Sequence, residues 1–322
     1  MAEFVLNQND AAKRSKKRAK IRREIIGTLM IAAPLVGFLA FTLFPMAVSF
    51  IVSFNDLHSY NMKYMEFVGW DNYKKIFAIG EFSGIQMPLS LWTAIKNTLL
   101  FSLCVPINLT SAIFLANIIS KKMPGSKFMR VILFIPQVCS GVAVTLVWQW
   151  IFEDQFGVAN TLLVSCGLDK VHWLTSPTPF TIAVLTISLW QNGTNVIILE
   201  SAFLNVNKSV QEAARIDGAN EFQVFWKVTF PALTPSIFYL AVMWLIAALQ
   251  EQTVMQIITT NGVGPGNRAV TLVYYIYRLA FTYTATWGMG IACALSWIAA
   301  IFIMLVNRLL FATSKLWVKY ED

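Results

Sequence analysis

The chain has 322 residues, of which 57% are hydrophobic and only 13% are charged, and its mean hydropathy is +0.59. This composition is too apolar for an ordinary soluble protein and predicts an all-α integral membrane protein. The formal net charge of +8 is compatible with nucleic-acid binding, but the distribution of the basic residues along the chain favours a membrane topology signal.

Six apolar runs are long enough, or nearly long enough, to cross the roughly 30 Å hydrocarbon core of a bilayer. These predicted spans are Ile25–Phe54, Leu99–Ile119, Val131–Phe152, Phe180–Leu204, Ser236–Ile258 and Trp287–Leu309. Six crossings place both termini on the same side of the membrane. The first run exceeds one crossing and contains Pro34 and Pro45, so it is tilted, kinked or partly interfacial.

The basic residues predict the orientation of these spans. Eighteen lysines and arginines fall in the N-terminal tail, in the loops after spans two and four, and at the C-terminus, whereas seven fall on the opposite side. Because basic loops stay in the cytoplasm, both termini and the loop around Glu212 are predicted to be cytoplasmic. The basic tail, residues 1–24, is interpreted as a topology anchor that touches anionic lipid.

The sequence lacks the signatures of several enzyme classes. It contains no Gly-x-x-x-x-Gly-Lys-Ser/Thr phosphate loop, nucleophile elbow, metalloprotease helix or redox pair. His58 and His172 have no partner at metal-ligand spacing, and the four cysteines suggest no disulfide framework. We therefore expect no catalytic residue, metal or cofactor in this chain, so that any ATP and Mg²⁺ must be bound by partner subunits.

A polar segment, residues 205–233, separates spans four and five. Ser209 and Glu212 fit a capping box and Gly218 fits a C-terminal stop, which predicts a helix of about two turns over Val210–Asp217. A second short helix is predicted from Asn220 to Phe230, ended by Pro231.

The first of these two helices carries small residues on one face. Ala213 and Ala214 lie beside Val210 and let another surface approach the backbone closely, while Arg215 and Asp217 add polar contacts. This pattern is typical of a docking helix for a soluble partner, and an ordinary amphipathic loop between spans is the alternative.

Two polar clusters interrupt the later spans. Gln191, Asn192, Thr194 and Asn195 surround Gly193 in span four, and Gln250, Glu251, Gln252 and Gln256 lie in span five. Neutral amides both donate and accept hydrogen bonds and so suit sugar hydroxyls, although such residues also fasten membrane helices to one another. Glu200, near the inner end of span four, either pairs with a basic residue of the neighbouring loop or reaches the cytoplasmic interface, and the second interpretation is favoured.

Several separated motifs resemble those of ABC-importer permeases. Glu212-Ala213-Ala214, with Gly218 four residues after the last Ala, and Val228-Thr229-Phe230-Pro231 resemble the conserved cytoplasmic loop of that family, with Phe in place of the usual Leu. Further segments are similar to the carbohydrate branch of maltose and glycerol-phosphate type: Phe67-Val68-Gly69-Trp70-Asp71-Asn72-Tyr73, Asn97-Thr98, Trp148, Tyr275-Ile276-Tyr277 and Ala280-Phe281. The resemblance runs over nearly the whole chain, and it departs at Val263, which splits the usual Gly-Gly-Pro turn.

The resemblance implies a type I ABC importer permease (MetI-like) fold with a first helix and outer loop at 25–93, a five-helix core at 94–312, and a cytoplasmic tail at 313–322. It implies ATPase-coupling residues Glu212, Ala213, Ala214, Asp217, Gly218 and Pro231, and a substrate path along Gln191, Asn192, Thr194, Asn195, Leu249, Gln252 and Gln256. It further implies a cell-membrane complex with a second homologous permease, two cytoplasmic ATP-binding subunits and an extracytoplasmic solute-binding protein, which imports a sugar or oligosaccharide. An ion-coupled secondary transporter is the alternative.

Overall fold

The computed structural model describes residues 2–58, 63, 65–78, 91–121, 123–259 and 262–319, and their side chains from Lys20 onward except at 284–287. The helices of the first half are α1 Ala2–Phe38, α2 Phe44–Ser53, α3 Asp71–Ala78, α4 Leu91–Phe101, α5 Cys104–Ser120, α6 Ser126–Val138, α7 Gly141–Ile151 and α8 Val158–Ser165. Those of the second half are α9 Pro177–Trp190, α10 Gly193–Asn205, α11 Lys208–Ile216, α12 Glu221–Val224, α13 Phe230–Leu249, α14 Thr253–Ile258, α15 Leu272–Tyr277 and α16 Thr284–Trp317.

Short turns of other helical types and one small hairpin complete the described part of the chain. The π-helical turns are Leu39–Leu43, Phe225–Thr229 and Arg278–Thr282, and Pro265–Asn267 is a 3₁₀ turn. Strand β1, Asn55–Asp56, pairs antiparallel with β2, Glu66–Phe67, and Asn55 lies opposite Phe67. The all-α fold class predicted from composition is confirmed.

Four helical segments are long and apolar enough to cross a membrane: Lys20–Ser53, Leu91–Ser120, Glu221–Leu249 and Gly288–Trp317. Two helix pairs qualify only when each is counted as one broken span, and this gives the six predicted crossings. α6 and α7 meet at 104°, and α9 and α10 meet at 49°. The sequence predicted both as uninterrupted runs, because an apolar run of the right length contains no information about a bend at Cys139–Ser140 or at Gln191–Asn192.

Span five differs from its prediction at both ends. Pro231 does not end a helix: the helical path continues from Glu221 through a π turn into α13. Pro231 lies in the first turn of α13, directly after the π turn Phe225–Thr229. At the other end α13 stops at Leu249, and the carboxylate of Glu251 caps the start of α14 by accepting from the Val254 N–H at 2.9 Å.

The first outer loop fastens the first span to the last. The Asn72 amide, fully buried, donates to the carbonyls of Ser53 and Asn55, both at 2.9 Å. Gly290 allows α16 to approach this loop, because a Cβ at that position would lie 2.0 Å from the Asn55 carbonyl oxygen.

The apolar core of the later spans lies between α5, α10 and α13. Ala112 on α5, Leu199 on α10 and Leu233 on α13 are fully buried in one cluster. A second cluster joins α4, α15 and α16, and a third joins α7, α9 and α14. This packing holds the segment between α10 and α13 at one end of the bundle.

Candidate functional site

The polar segment between spans four and five begins with a side-chain cap on α11. Asn207 Oδ1 accepts from the backbone N–H of Ser209 at 3.0 Å and from its hydroxyl at 2.7 Å. The predicted capping box of Ser209 and Glu212 is therefore wrong: the cap lies two residues earlier, and Glu212 lies in the second turn. Asn is a strong N-cap residue, so Asn207 carried a signal that the Ser-x-x-Glu spacing obscured.

The end of α11 matches its prediction in kind. Gly218 has φ +87°, and the Ala219 N–H donates to the Ala214 carbonyl at 3.0 Å while the Gly218 N–H donates to the Arg215 carbonyl at 3.0 Å. These two bonds define a Schellman motif. A Cβ at Gly218 would meet nothing within 4 Å, so glycine is required here by its backbone conformation and not by lack of space.

Polar contacts then fix the turn that follows α11. Arg215 forms a two-point ion pair with Glu221, and Asn220 and Gln223 form a reciprocal capping box at the start of α12. The hydrogen bond and the charge of Glu221 raise the pKa of Arg215 above its ordinary value. The two short helices are thus held in one geometry by their own side chains.

This segment exposes several apolar side chains among its polar ones. Ile216 is 86% exposed and Phe222 is 71% exposed, and Ala213, Val210 and Trp226 are exposed as well. The sequence analysis identified the alanine face but missed Ile216, Phe222 and Trp226. Their signal was the presence of large apolar residues in an otherwise polar segment, and an exposed apolar patch of this kind marks an interaction surface.

The span-four polar residues lie at the break between α9 and α10. Asn192 donates to the Asn108 carbonyl at 2.6 Å and to Ser111 Oγ at 2.8 Å. The side-chain Oδ1 of Asn192 accepts from Asn195 Nδ2 at 2.6 Å. Asn192 and Asn195 are each only 3% exposed. The Asn192 amide therefore joins the helix break to α5, and the Asn195 amide holds the Asn192 side chain in place.

The other two residues of this cluster are more accessible. Thr194 is exposed and Gln191 is half-buried. Gln137 on α6 joins them, because its amide nitrogen donates to the Gln191 carbonyl and its amide oxygen accepts from Thr194 Oγ1 at 3.1 Å. Gln137 satisfies the backbone group released by the helix break.

The span-five amides form a row that ends on aromatic rings. Gln252 Nε2 donates to Gln256 Oε1 at 3.3 Å, and Gln256 Nε2 donates to the Tyr277 hydroxyl at 3.2 Å. Gln256 and Phe281 are exposed, and the rings of Tyr277 and Phe281 lie 4.9 Å apart. Leu249, in contrast, is fully buried.

The structure brings the two polar clusters near each other. A small cavity of about 80 Å³ between α9 and α13 is lined by Gln191 of span four and Glu251 of span five, together with Ser188 and Cys104. The row of Gln252, Gln256 and Tyr277 begins next to Glu251, at the break between α13 and α14.

The structure also shows the surroundings of Glu200 and of the two histidines. Glu200 is 5% exposed and forms an ion pair with Arg130. The interpretation that Glu200 pairs with a basic residue is therefore correct in kind, but the partner lies on α6 and not in the neighbouring loop. His58 and His172 lie on the surface, each 3.0 Å or less from a carboxylate. All four cysteines are free, and the described residues include no cluster of three metal-binding side chains.

Four helices that are long and apolar enough to cross a membrane, together with two broken helix pairs, define a multi-pass membrane protein. Residues 108–316 match the model of the family described as "Binding-protein-dependent transport system inner membrane component", and the chain belongs to this family. It is a transport subunit of the inner membrane and not an enzyme.

Individual proteins share this similarity over their full length. The probable ABC transporter permease protein YesP of Bacillus subtilis is 34% identical, over 98% of both chains. The lactose transport system permease protein LacF of Rhizobium radiobacter is 27% identical, over 92% of this chain and 97% of its own. A chain of a crystallised bacterial alginate ABC transporter superposes with a TM-score of 0.77 at 24% identity, covering 94% of this chain and 98% of that one, which shows the common fold.

Proposed function

We propose that this chain is a permease subunit of an ATP-driven ABC importer that translocates a sugar or oligosaccharide delivered by an extracytoplasmic solute-binding protein. The observation that carries the proposal is the α11 helix, which projects an apolar surface from a defined turn between two membrane spans of a transport-family chain. Relatives named for lactose, diacetylchitobiose and arabinooligosaccharides support the carbohydrate class.

The proposed complex contains a second, homologous permease, two cytoplasmic ATP-binding subunits and the solute-binding protein, surrounded by membrane lipid. ATP and Mg²⁺ bind to the ATPase subunits, and this chain holds no cofactor and binds no nucleic acid. Both termini lie in the cytoplasm, in agreement with the basic residues of that side.

Coupling is proposed to pass through α11. The ATPase subunits contact the exposed face formed by Val210, Ala213 and Ile216. Ala214 lies beside this face, and the neighbouring Glu212 and Asp217 add charge at the edge of the contact. Gly218 and Pro231 fix the connection to span five. Because α10 ends at Asn205 and α11 begins at Lys208, movement of α11 is transmitted directly to span four.

The solute path is proposed to follow the accessible polar groups at the helix breaks. Gln191 and Thr194 contribute from span four, and Gln252 and Gln256 from span five. Amides exchange hydrogen bonds with hydroxyl groups in both directions, and Tyr277 supplies an aromatic surface beside them. Asn192, Asn195 and Leu249 support this path from behind, because their side chains are buried within the chain.

The geometry disfavours a secondary transporter. Such a protein needs an intramembrane relay of titratable groups, and the two carboxylates available in spans four and five are already engaged. Glu200 pairs with Arg130, and Glu251 caps α14.

The test is uptake of solute into proteoliposomes that carry the reconstituted complex and enclose ATP. We expect uptake that requires ATP, the binding protein and the partner subunits together, and competition by one or more sugars from a panel. Uptake driven by a proton or sodium gradient in the absence of ATP would contradict the proposal.

A further inference from the structure

Helices α6 and α10 are joined near both of their ends. At one end Arg130 pairs with Glu200. At the other end the backbones touch at the first residue of α10, because a Cβ at Gly193 would lie 1.9 Å from the Leu133 carbonyl oxygen. At that same end Gln137 binds the Gln191 carbonyl and Thr194 Oγ1. The pairing of early residues of α6 with late residues of α10 shows that the two helices run antiparallel.

The C-terminus of α6 and the N-terminus of α10 lie at the same end of the helix pair, and each adjoins a break in its span. α6 stops at Val138, where the chain turns by 104° into α7, and α10 starts at Gly193, where the chain turns by 49° from α9. Gln137 lies just before the first break and holds the backbone of the second. The two breaks therefore form one region at which the helix pair joins the rest of the bundle.

The opposite end of the pair carries the docking segment. α10 runs to Asn205, and α11 begins three residues later at Lys208. Glu200 and Arg130 thus lie between the docking helix and the two breaks.

Directional contacts bind α10 to α6 near both ends of the pair, whereas the hydrogen bonds between this region and α5 are confined to the break. The hydrogen bonds from Asn192 to Asn108 and Ser111 lie at the break itself. Below the break, α5 contributes Ala112 and Ala116 to the apolar cluster that contains Val196 and Leu199 of α10. Contacts between small apolar side chains have no preferred partner atom, so they permit sliding more readily than an ion pair does.

We propose that α6 and α10 form one rigid arm that pivots about the breaks at Cys139–Ser140 and Gln191–Asn192 and carries the movement of α11 to the solute path. Arg130, Glu200 and Gln137 are its positioning residues. The inference rests on the proposed function, because it requires an ATPase to move α11. Glu200 is almost completely buried, so removing Arg130 leaves an uncompensated charge inside the arm.

Charge exchange tests the role of the ion pair. In the reconstituted complex, Arg130→Glu and Glu200→Arg alone place two like charges together, and each should lower the number of solutes transported per ATP by about fivefold or more. The double variant Arg130→Glu/Glu200→Arg restores the pair and should recover most of this ratio. Lys127→Glu, an exposed charge reversal one turn earlier on α6, is the control and should leave the ratio unchanged. Single variants with an unchanged transport ratio would overturn the proposal.

Spin-label distances test the rigidity of the arm directly. Labels at the exposed positions Lys127 on α6 and Leu204 on α10 should keep the same separation with and without ATP, whereas labels at Lys127 and Val142, on either side of the α6–α7 break, should change theirs. A change within the first pair would overturn the rigid arm while leaving the importer assignment intact. If the partner ATPase subunits fail to bind the chain at all, the proposed function is contradicted and the arm with it.

Discussion

Arg215 and Glu221 form an ion pair across the turn that links α11 to span five, with Nε 2.7 Å from Oε1 and Nη2 3.2 Å from Oε2. The pair closes over Gly218, whose left-handed backbone makes the turn possible. Both side chains are exposed, so the pair sets the direction of the turn and contributes little to stability.

Replacing Arg215 by Ala should leave the spans inserted and the complex assembled, since an exposed ion pair contributes little to stability. It should reduce solute-stimulated ATPase activity less than a change that destroys the turn itself. The measurement is ATPase activity of the purified complex in lipid, with and without loaded binding protein. A loss of assembly would show that the pair has a structural role beyond orienting the turn.

The cap of α11 gives a matched pair of variants. Asn207→Ala removes the side-chain bond to the Ser209 N–H and should destabilise the helix by about 1 kcal/mol. Glu212→Ala removes no capping bond, because Glu212 lies in the second turn, and should not destabilise the helix. Hydrogen exchange of the α11 amides distinguishes them: faster exchange in Glu212→Ala than in Asn207→Ala would contradict the observed cap.

The two polar clusters should respond differently to loss of an amide. Asn195→Leu leaves the buried Asn192 carbonyl without its partner, at a cost of about 1–3 kcal/mol, and should lower the melting temperature and the yield of assembled complex. Gln252→Leu should leave assembly unchanged and weaken uptake, because a sugar hydroxyl loses a hydrogen bond worth about 0.5–1.5 kcal/mol. Thermal melting beside uptake kinetics separates the two effects. If Asn195→Leu has normal stability, the structural role of Asn195 is contradicted, and a role in contacting the solute is favoured instead.

Sequence alone predicted the features that depend on local chemistry. The six apolar runs and the glycine stop at Gly218 follow from span length and backbone conformation. It could not predict features that depend on tertiary neighbours. Nothing local indicates that Glu200 meets Arg130, seventy positions away in sequence, or that Gln137 stabilises a break in another span.

The misassigned helix ends have a different origin. A proline is equally compatible with the end of one helix and the first turn of the next, so Pro231 alone could not decide between them. Likewise two overlapping cap patterns, Asn207 and Ser209, compete within three residues, and the hydrogen bonds of the folded chain decide which is used.

Topology can be tested with single cysteines. In a chain that keeps only Cys166, which is exposed in the loop between α8 and α9, an impermeant thiol reagent should label intact cells. Cysteines introduced at the exposed positions Lys127 and Ser209 of a cysteine-free chain should be shielded until the cells are opened. Lys127 is preferred to its neighbour Ser126 because Ser126 is buried. Cys166 is preferred to Ser83, an outer-loop position by sequence, because Ser83 lies outside the described residues. Ready labelling of Ser209 from outside would reverse the predicted orientation.

The most direct measurement of the central claim is solute-stimulated ATPase activity of the complete complex carrying Gly218→Val, beside Gly218→Asn as the matched control. Valine adopts the left-handed backbone of this position only at a cost of about 1–2 kcal/mol, whereas asparagine tolerates it. We expect Gly218→Val to insert and pair with its permease partner but to lose stimulation by loaded binding protein and to lose transport, while Gly218→Asn retains most of both. If Gly218→Val transports and couples like the unmodified protein, the α11 segment is a passive connector, and its role in coupling is contradicted.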